Sequence, residues 1–95
     1  MTISNLHTQD KEVSAITLFK GELGTTTAIQ ILKDGKLKEH ITKTPALLLC
    51  VVGKVHYEDE TGELIELISG GYIHISPNVK HWLVASELSQ LVLLK

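Results

Sequence analysis

The sequence predicts an all-β domain built as an antiparallel sandwich or barrel. Short runs rich in β-branched and apolar residues recur along the chain, turn signals separate them at the roughly 8 to 12 residue spacing of all-β folds, and no stretch keeps a helical repeat. With 95 residues there is room for one domain, and 43% apolar with 21% charged residues is the balance of a chain that folds around a core.

Residues 1 to 11 are polar and aperiodic and read as a terminal arm, leaving 12 to 95 for the barrel. Val13 to Phe19 is the first strand, and Gly24 precedes a second, Thr25 to Leu32. Lys33-Asp34-Gly35-Lys36 is a tight turn because Asp-Gly readily supplies positive φ, and Leu37 to Ile41 resumes an extended path. Ala46 to Val52 is apolar at every position, the pattern of a strand covered on both sides, and Gly53 ends or kinks it. Val55 and Tyr57 alternate with Lys54, His56 and Glu58, and Asp59-Glu60-Thr61-Gly62 reads as a hairpin turn. Leu64 to Ile68, the pair Ile73 and Ile75 after Gly70-Gly71, His81 to Ala85 and Gln90 to Leu94 complete the set.

Composition excludes several function classes. All nine basic residues are Lys, dispersed between Lys11 and Lys95, so no Arg-rich patch is available to a nucleic acid. No apolar run nears the ~18 residues of a membrane span, and Met1 to Leu6 lacks a basic then apolar leader, so a cytoplasmic protein is expected. Cys50 has no partner for a disulfide and sits in an apolar run, as a small buried residue would. Ser-His-Asp order, phosphate loops, zinc-type Cys pairs and dinucleotide fingerprints are all missing.

The stretch Gly70-Gly71-Tyr72-Ile73-His74-Ile75-Ser76-Pro77-Asn78-Val79-Lys80-His81 carries a family resemblance. It resembles the second motif of the small single-domain cupins, the RmlC-like jelly rolls. Gly70 opens the motif, Gly71 stands at the usual Asp, Ser76 at the usual Pro with Pro77 following, Asn78 at the turn Gly, and His81 at the His. Asn tolerates the left-handed conformation that the turn Gly supplies. Counting back from Gly53 through the first motif puts Ala46 at its Glu, His40 at its first His and Thr42 at its second, with Gly35 one residue out of place. The resemblance spans about residues 23 to 95 and implies a jelly-roll barrel, a double-stranded β-helix, with a degenerate metal motif.

Strand alternation puts His40, Thr42, Ala46, Leu48 and Cys50 on one face if the turn at Pro45 keeps phase, and His81, Leu83 and Ala85 on one face of the later strand. In a cupin barrel these sets look at each other across the cavity. The expected ligand-binding residues are therefore His40, Thr42, Leu48, Cys50, His81 and Leu83. As metal ligands, His40 and His81 form an incomplete set, since a catalytic metal wants about three protein donors. His56 and His74 are the other candidates, and parity points both away from the cavity.

The function expected is small-molecule binding near His40 and His81 without a complete metal site and without a cofactor, catalysis being unassigned. The alternatives are a metal-dependent oxygenase or isomerase using a divalent ion on a reduced His set, and a non-catalytic sensory or interaction domain. A homodimer is expected as well, with Tyr72 and Trp82 as interface aromatics.

Overall fold

A computed structural model describes residues 1–95 and shows nine strands in two antiparallel sheets. In chain order the strands are β1 (Val13–Lys20), β2 (Thr25–Ile31), β3 (Lys36–His40), β4 (Ala46–Val52), β5 (Lys54–Asp59), β6 (Leu64–Ile68), β7 (Tyr72–Ile75), β8 (His81–Ala85) and β9 (Ser89–Leu94). The larger sheet has the order β1-β2-β9-β4-β7 and the smaller β3-β8-β5-β6. The strands expected over 46–52, 64–68 and 81–85 keep their bounds, and the others shift by a residue or two at their ends.

Alternation explains how the sheets close on each other. Inward positions of the large sheet supply Ile29, Ile31, Ala46, Leu48, Cys50, Ile75 and Leu91, while the small sheet answers with Val55, Tyr57, Leu67, Leu83 and Ala85. These form one buried cluster, and a fully buried Leu or Ile within it is worth about 1.5 to 3 kcal/mol of transfer free energy. β4 was expected to be covered on both sides. Its inner residues are buried, whereas outward-facing Leu47 and Leu49 are only half-buried and Val51 is exposed.

The outward face of the small sheet is charged. One cross-strand row runs Lys36, Val84, His56, Glu66, and another holds Glu58 between Trp82 and Leu64. Trp82 Nε1 donates to Glu58 Oε2 at 3.1 Å, so its polar edge is satisfied on its own sheet. Tyr72 lies on the outer face of the other sheet, so the two aromatics sit on opposite faces of the sandwich.

Five residues have positive φ, Asp34, Gly53, Gly62, Gly70 and Asn78, and two of them mark joints next to β8 and β4. Asn78, at the turn before β8, has φ 64, as expected of an Asn standing for Gly, and its N–H donates to Thr42 O at 2.8 Å. Gly53, between β4 and β5, has φ 109, and a Cβ there would run into Ser89 Oγ and lie 2.7 Å from Leu88 O. β1 pairs with β2 through a bulge between Thr17 and Phe19.

The N-terminal arm is ordered. A short 3-10 turn, Ile3–Leu6, packs on β2, His7 Nδ1 lies 2.7 Å from Ser14 Oγ, and Gln30 Nε2 donates to Thr8 O at 3.1 Å. Gln90 Nε2 donates in turn to Gln30 Oε1 at 2.7 Å, so polar residues on the outer face of the large sheet are linked beneath the arm. Burial lowers the His7 pKa.

Candidate functional site

β3 and β8 are neighbours with His40 opposite His81, and this register makes the site. The two rings pack edge to face with centroids 4.1 Å apart, and Tyr57 on β5 stacks beyond His81 at 5.9 Å. His40 Nδ1 lies 3.0 Å from Lys38 O and His81 Nδ1 lies 3.1 Å from Val79 O. A carbonyl only accepts, so each Nδ1 carries a proton. In its neutral form each imidazole therefore presents Nε2 as a hydrogen-bond acceptor.

Burial lowers the His81 pKa, with the His40 imidazole adding to that direction and the Val79 carbonyl and Asp59 opposing it. Burial thus favours the neutral form of His81. His40 is half-buried and reaches solvent.

A second group at this end was hidden in the sequence by its turn-like surroundings. Asp59 is the last residue of β5, inward-facing, buried and opposite His81. Tyr57 Oη donates to Asp59 Oδ2 at 2.9 Å, and the Thr61 hydroxyl and the Thr61 and Glu63 N–H groups donate to Oδ1. Burial works to raise the Asp59 pKa, but these donors outweigh it and hold the carboxyl below its ordinary range. Tyr57 is pushed well up, by burial first and then by the Asp59 bond. The period of two through Val55, Tyr57 and Asp59 was the signal that could have placed Asp59 on the strand.

The other expected ligand-binding residues have different surroundings. Leu48, Cys50 and Leu83 belong to the packed core, and none of them, nor Thr42 or His81, lines any of the three concavities of the surface. The inward side chains fill the space between the sheets where the sequence anticipated a cavity. Thr42 is buried and its hydroxyl has no partner. His56 faces outward, 3.7 Å from Glu66, and His74 faces outward beside Tyr72.

A metal does not fit this donor set. His40 and His81 supply two imidazole nitrogens, Thr42 and Ala46 stand where further ligands would be, and the Asp59 carboxylate is already taken by its four donors. No group of three His, Cys, Asp or Glu side chains is placed to hold an ion.

His40 instead lines an open groove of about 620 Å³ between residues 11–13, at the start of β1, and the edge strand β3. Three lysines, Lys11, Lys36 and Lys38, share this groove with two carboxylates. Glu12 accepts the Lys36 backbone N–H at 3.1 Å and Glu39 pairs with Lys80 at 3.8 Å, whereas none of the three ammonium groups has a carboxylate partner. The groove therefore combines an imidazole acceptor with unpaired positive charge.

This architecture is that of the cupins, a small jelly-roll domain of the RmlC-like type. A cupin superfamily protein from Desulfitobacterium hafniense superposes over 98% of this chain and 84% of its own at a TM-score of 0.86 and 11% identity. An RmlC-like cupin with a double-stranded β-helix fold from Methanocaldococcus jannaschii covers 94% and 84% at 0.78 and 16%. A conserved protein of unknown function from Streptococcus pyogenes covers 92% and 75% at 0.79 and 21%. At such identities the likeness is one of fold. No protein-family model and no curated protein matches the sequence.

Proposed function

We propose that this cupin domain is a binding module for a small hydroxylated acid, held in the groove between residues 11–13 and β3. The observation that carries this reading is the double position of His40, which lines the groove and packs against the buried His81. A ligand hydroxyl donates to His40 Nε2, and its carboxylate meets the unpaired ammonium groups of Lys11, Lys36 and Lys38. His81 acts from behind by fixing the His40 ring.

The test is a thermal-shift and NMR titration at pH 7.5 with gluconate, galacturonate and lactate, using sorbitol as the uncharged control. The hydroxy acids should raise the melting temperature and move the amide signals of Lys36 to His40, while sorbitol moves neither. His40→Ala and Lys38→Ala should each weaken the response without unfolding the domain. The reading is wrong if no acid perturbs β3 at millimolar concentration, or if the response survives both substitutions. Stoichiometric transition metal in protein purified without added ions, lost on His40→Ala, would replace it with the metal-dependent reading.

A further inference from the structure

The N-terminal arm, residues 1–11, is held on the outer side of β1 and β2 by very little. Only His7 is buried in it and only Ile3 half-buried, the short turn Ile3–Leu6 contributing no buried side chain. The arm's own backbone bonds, Asn5 N–H to Thr2 O and His7 N–H to Ser4 O, stay within it. Two hydrogen bonds reach the barrel: His7 Nδ1 with Ser14 Oγ at 2.7 Å, and Gln30 Nε2 donating to Thr8 O at 3.1 Å. The His7 imidazole is therefore the arm's one buried anchor.

That anchor suits a single charge state. His7 Nε2 is enclosed without a partner, and so is Gln90 Oε1 at the end of the row Ser14, Gln30, Gln90 beneath the arm. With its proton on Nδ1, donated to Ser14 Oγ, the neutral ring leaves only a bare lone pair at Nε2. Protonation makes both nitrogens donors, so an Nε2–H faces no acceptor while the ring holds a full charge out of water.

No opposite charge is at hand to offset it. The turn Ile3–Leu6, β2 and β9 hold no Asp, Glu, Lys or Arg, and β1 holds only Lys20, six residues beyond Ser14. On the flanking segments Asp10, Lys11 and Glu12 follow in the chain, Lys33 and Asp34 turn out of β2, and Glu87 precedes β9, and none pairs with the ring. Asp10 is engaged with the Thr8 hydroxyl and Glu12 with the Lys36 N–H.

We infer that the arm is an acid-released strap with His7 as its latch: the neutral imidazole docks on Ser14 and closes residues 1–10 over β1 and β2, and protonation undocks them and uncovers Ser14, Gln30 and Gln90. These three outward side chains, buried in the docked state, meet solvent in the released one. Release stops at Glu12, whose carbonyl accepts the Leu32 N–H at 3.0 Å and whose carboxylate accepts the Lys36 N–H at 3.1 Å, so the barrel stays closed behind it. The free arm binds the proton more tightly than the docked one, whose ring burial holds below its ordinary pKa, so docking weakens as pH falls below about 6.5. Each further pH unit cuts the docking equilibrium by up to about tenfold. The strap acts without any ligand in the groove beside β3.

The experiment is NMR of the full chain from pH 7.5 to pH 5.0, following the His7 ring and the amides of Ile3 to Thr8. Ring and arm signals should shift together with one midpoint below about 6.5. Order parameters of the arm should fall from about 0.85 to below about 0.6, while those of Leu83 and Leu91 in the core stay high. His7→Gln should make the order of the arm independent of pH, and His81→Gln should leave the transition in place. An arm that stays ordered to pH 5.0 overturns the inference, as does a transition that survives His7→Gln or is abolished by His81→Gln. Should His7→Gln fail to fold, the wild-type titration decides: coincident ring and arm midpoints support the latch, and separate ones overturn it.

Discussion

Tyr57 and Asp59, two residues apart on one strand, point the same way into the barrel and are joined by a 2.9 Å hydrogen bond between phenol and carboxylate. The strand alternation that buries Tyr57 among the core leucines also carries Asp59 inward, and the loop at 61–63 then folds back to solvate it with N–H and O–H groups. A buried charge is tolerable here because its donors are built in.

Removing that charge should be costly. Asp59→Ala leaves the buried Tyr57 hydroxyl without its partner and strips the loop of its acceptor, for an expected loss of about 2 to 3 kcal/mol. Tyr57→Phe deletes only one of four donors and should lose about 1 to 1.5 kcal/mol. Urea unfolding of both variants and of the double variant checks this, with a non-additive cycle expected because the residues share one bond.

Acid should weaken the fold in two stages. The His81 and His7 pKa values lie below the ordinary 6.5 in the folded state, so between the folded and unfolded values the unfolded chain binds more protons and stability falls as pH drops below about 6.5. Asp59, held below its ordinary 3.8, adds a second loss as pH falls through that value. Urea midpoints from pH 8 to pH 3 should show both descents. His81→Gln should flatten the upper one, and an unchanged slope would contradict the burial of that ring.

Gly53 and Gly62 offer a matched pair. Both have positive φ, 109 and 94, but an added Cβ meets Ser89 and Leu88 at Gly53 and nothing within 4 Å at Gly62. Gly62→Ala should cost only the left-handed strain of about 1 to 2 kcal/mol. Gly53→Ala adds a clash with backbone and should lose a further 1 to 3 kcal/mol, as overpacking does. Thermal melts of the two variants make the comparison.

Cys50 is fully buried, and burial first and the Glu87 charge second raise its pKa. The thiol should resist a disulfide reagent in native buffer and react at once in denaturing urea. Rapid native labelling would show that the sheet opens at β4.

The strand positions were legible because period-two runs and turn residues report local backbone geometry. His40 and His81, expected to look at each other across the cavity, are instead side by side on neighbouring strands of the small sheet, a pairing that spacing along the chain does not report. What filled the space between the sheets was not legible. Leu48 and Leu83 look alike in sequence whether they line a void or close it, since only the distance between sheets decides. Asp59 was hidden for a related reason, its place in an Asp-Glu-Thr-Gly string outweighing its phase with Tyr57. The groove beside β3 depends on where the N-terminal residues pass, and their polar sequence carries no periodicity from which to tell.

The bulge at Thr17 to Phe19 has a consequence for the free edge of the larger sheet. β1 is an uncharged, proline-free rim from Val13 to Phe19, which would ordinarily invite strand after strand to add on without limit. The extra residue throws an incoming strand out of step halfway along, so growth sideways stalls.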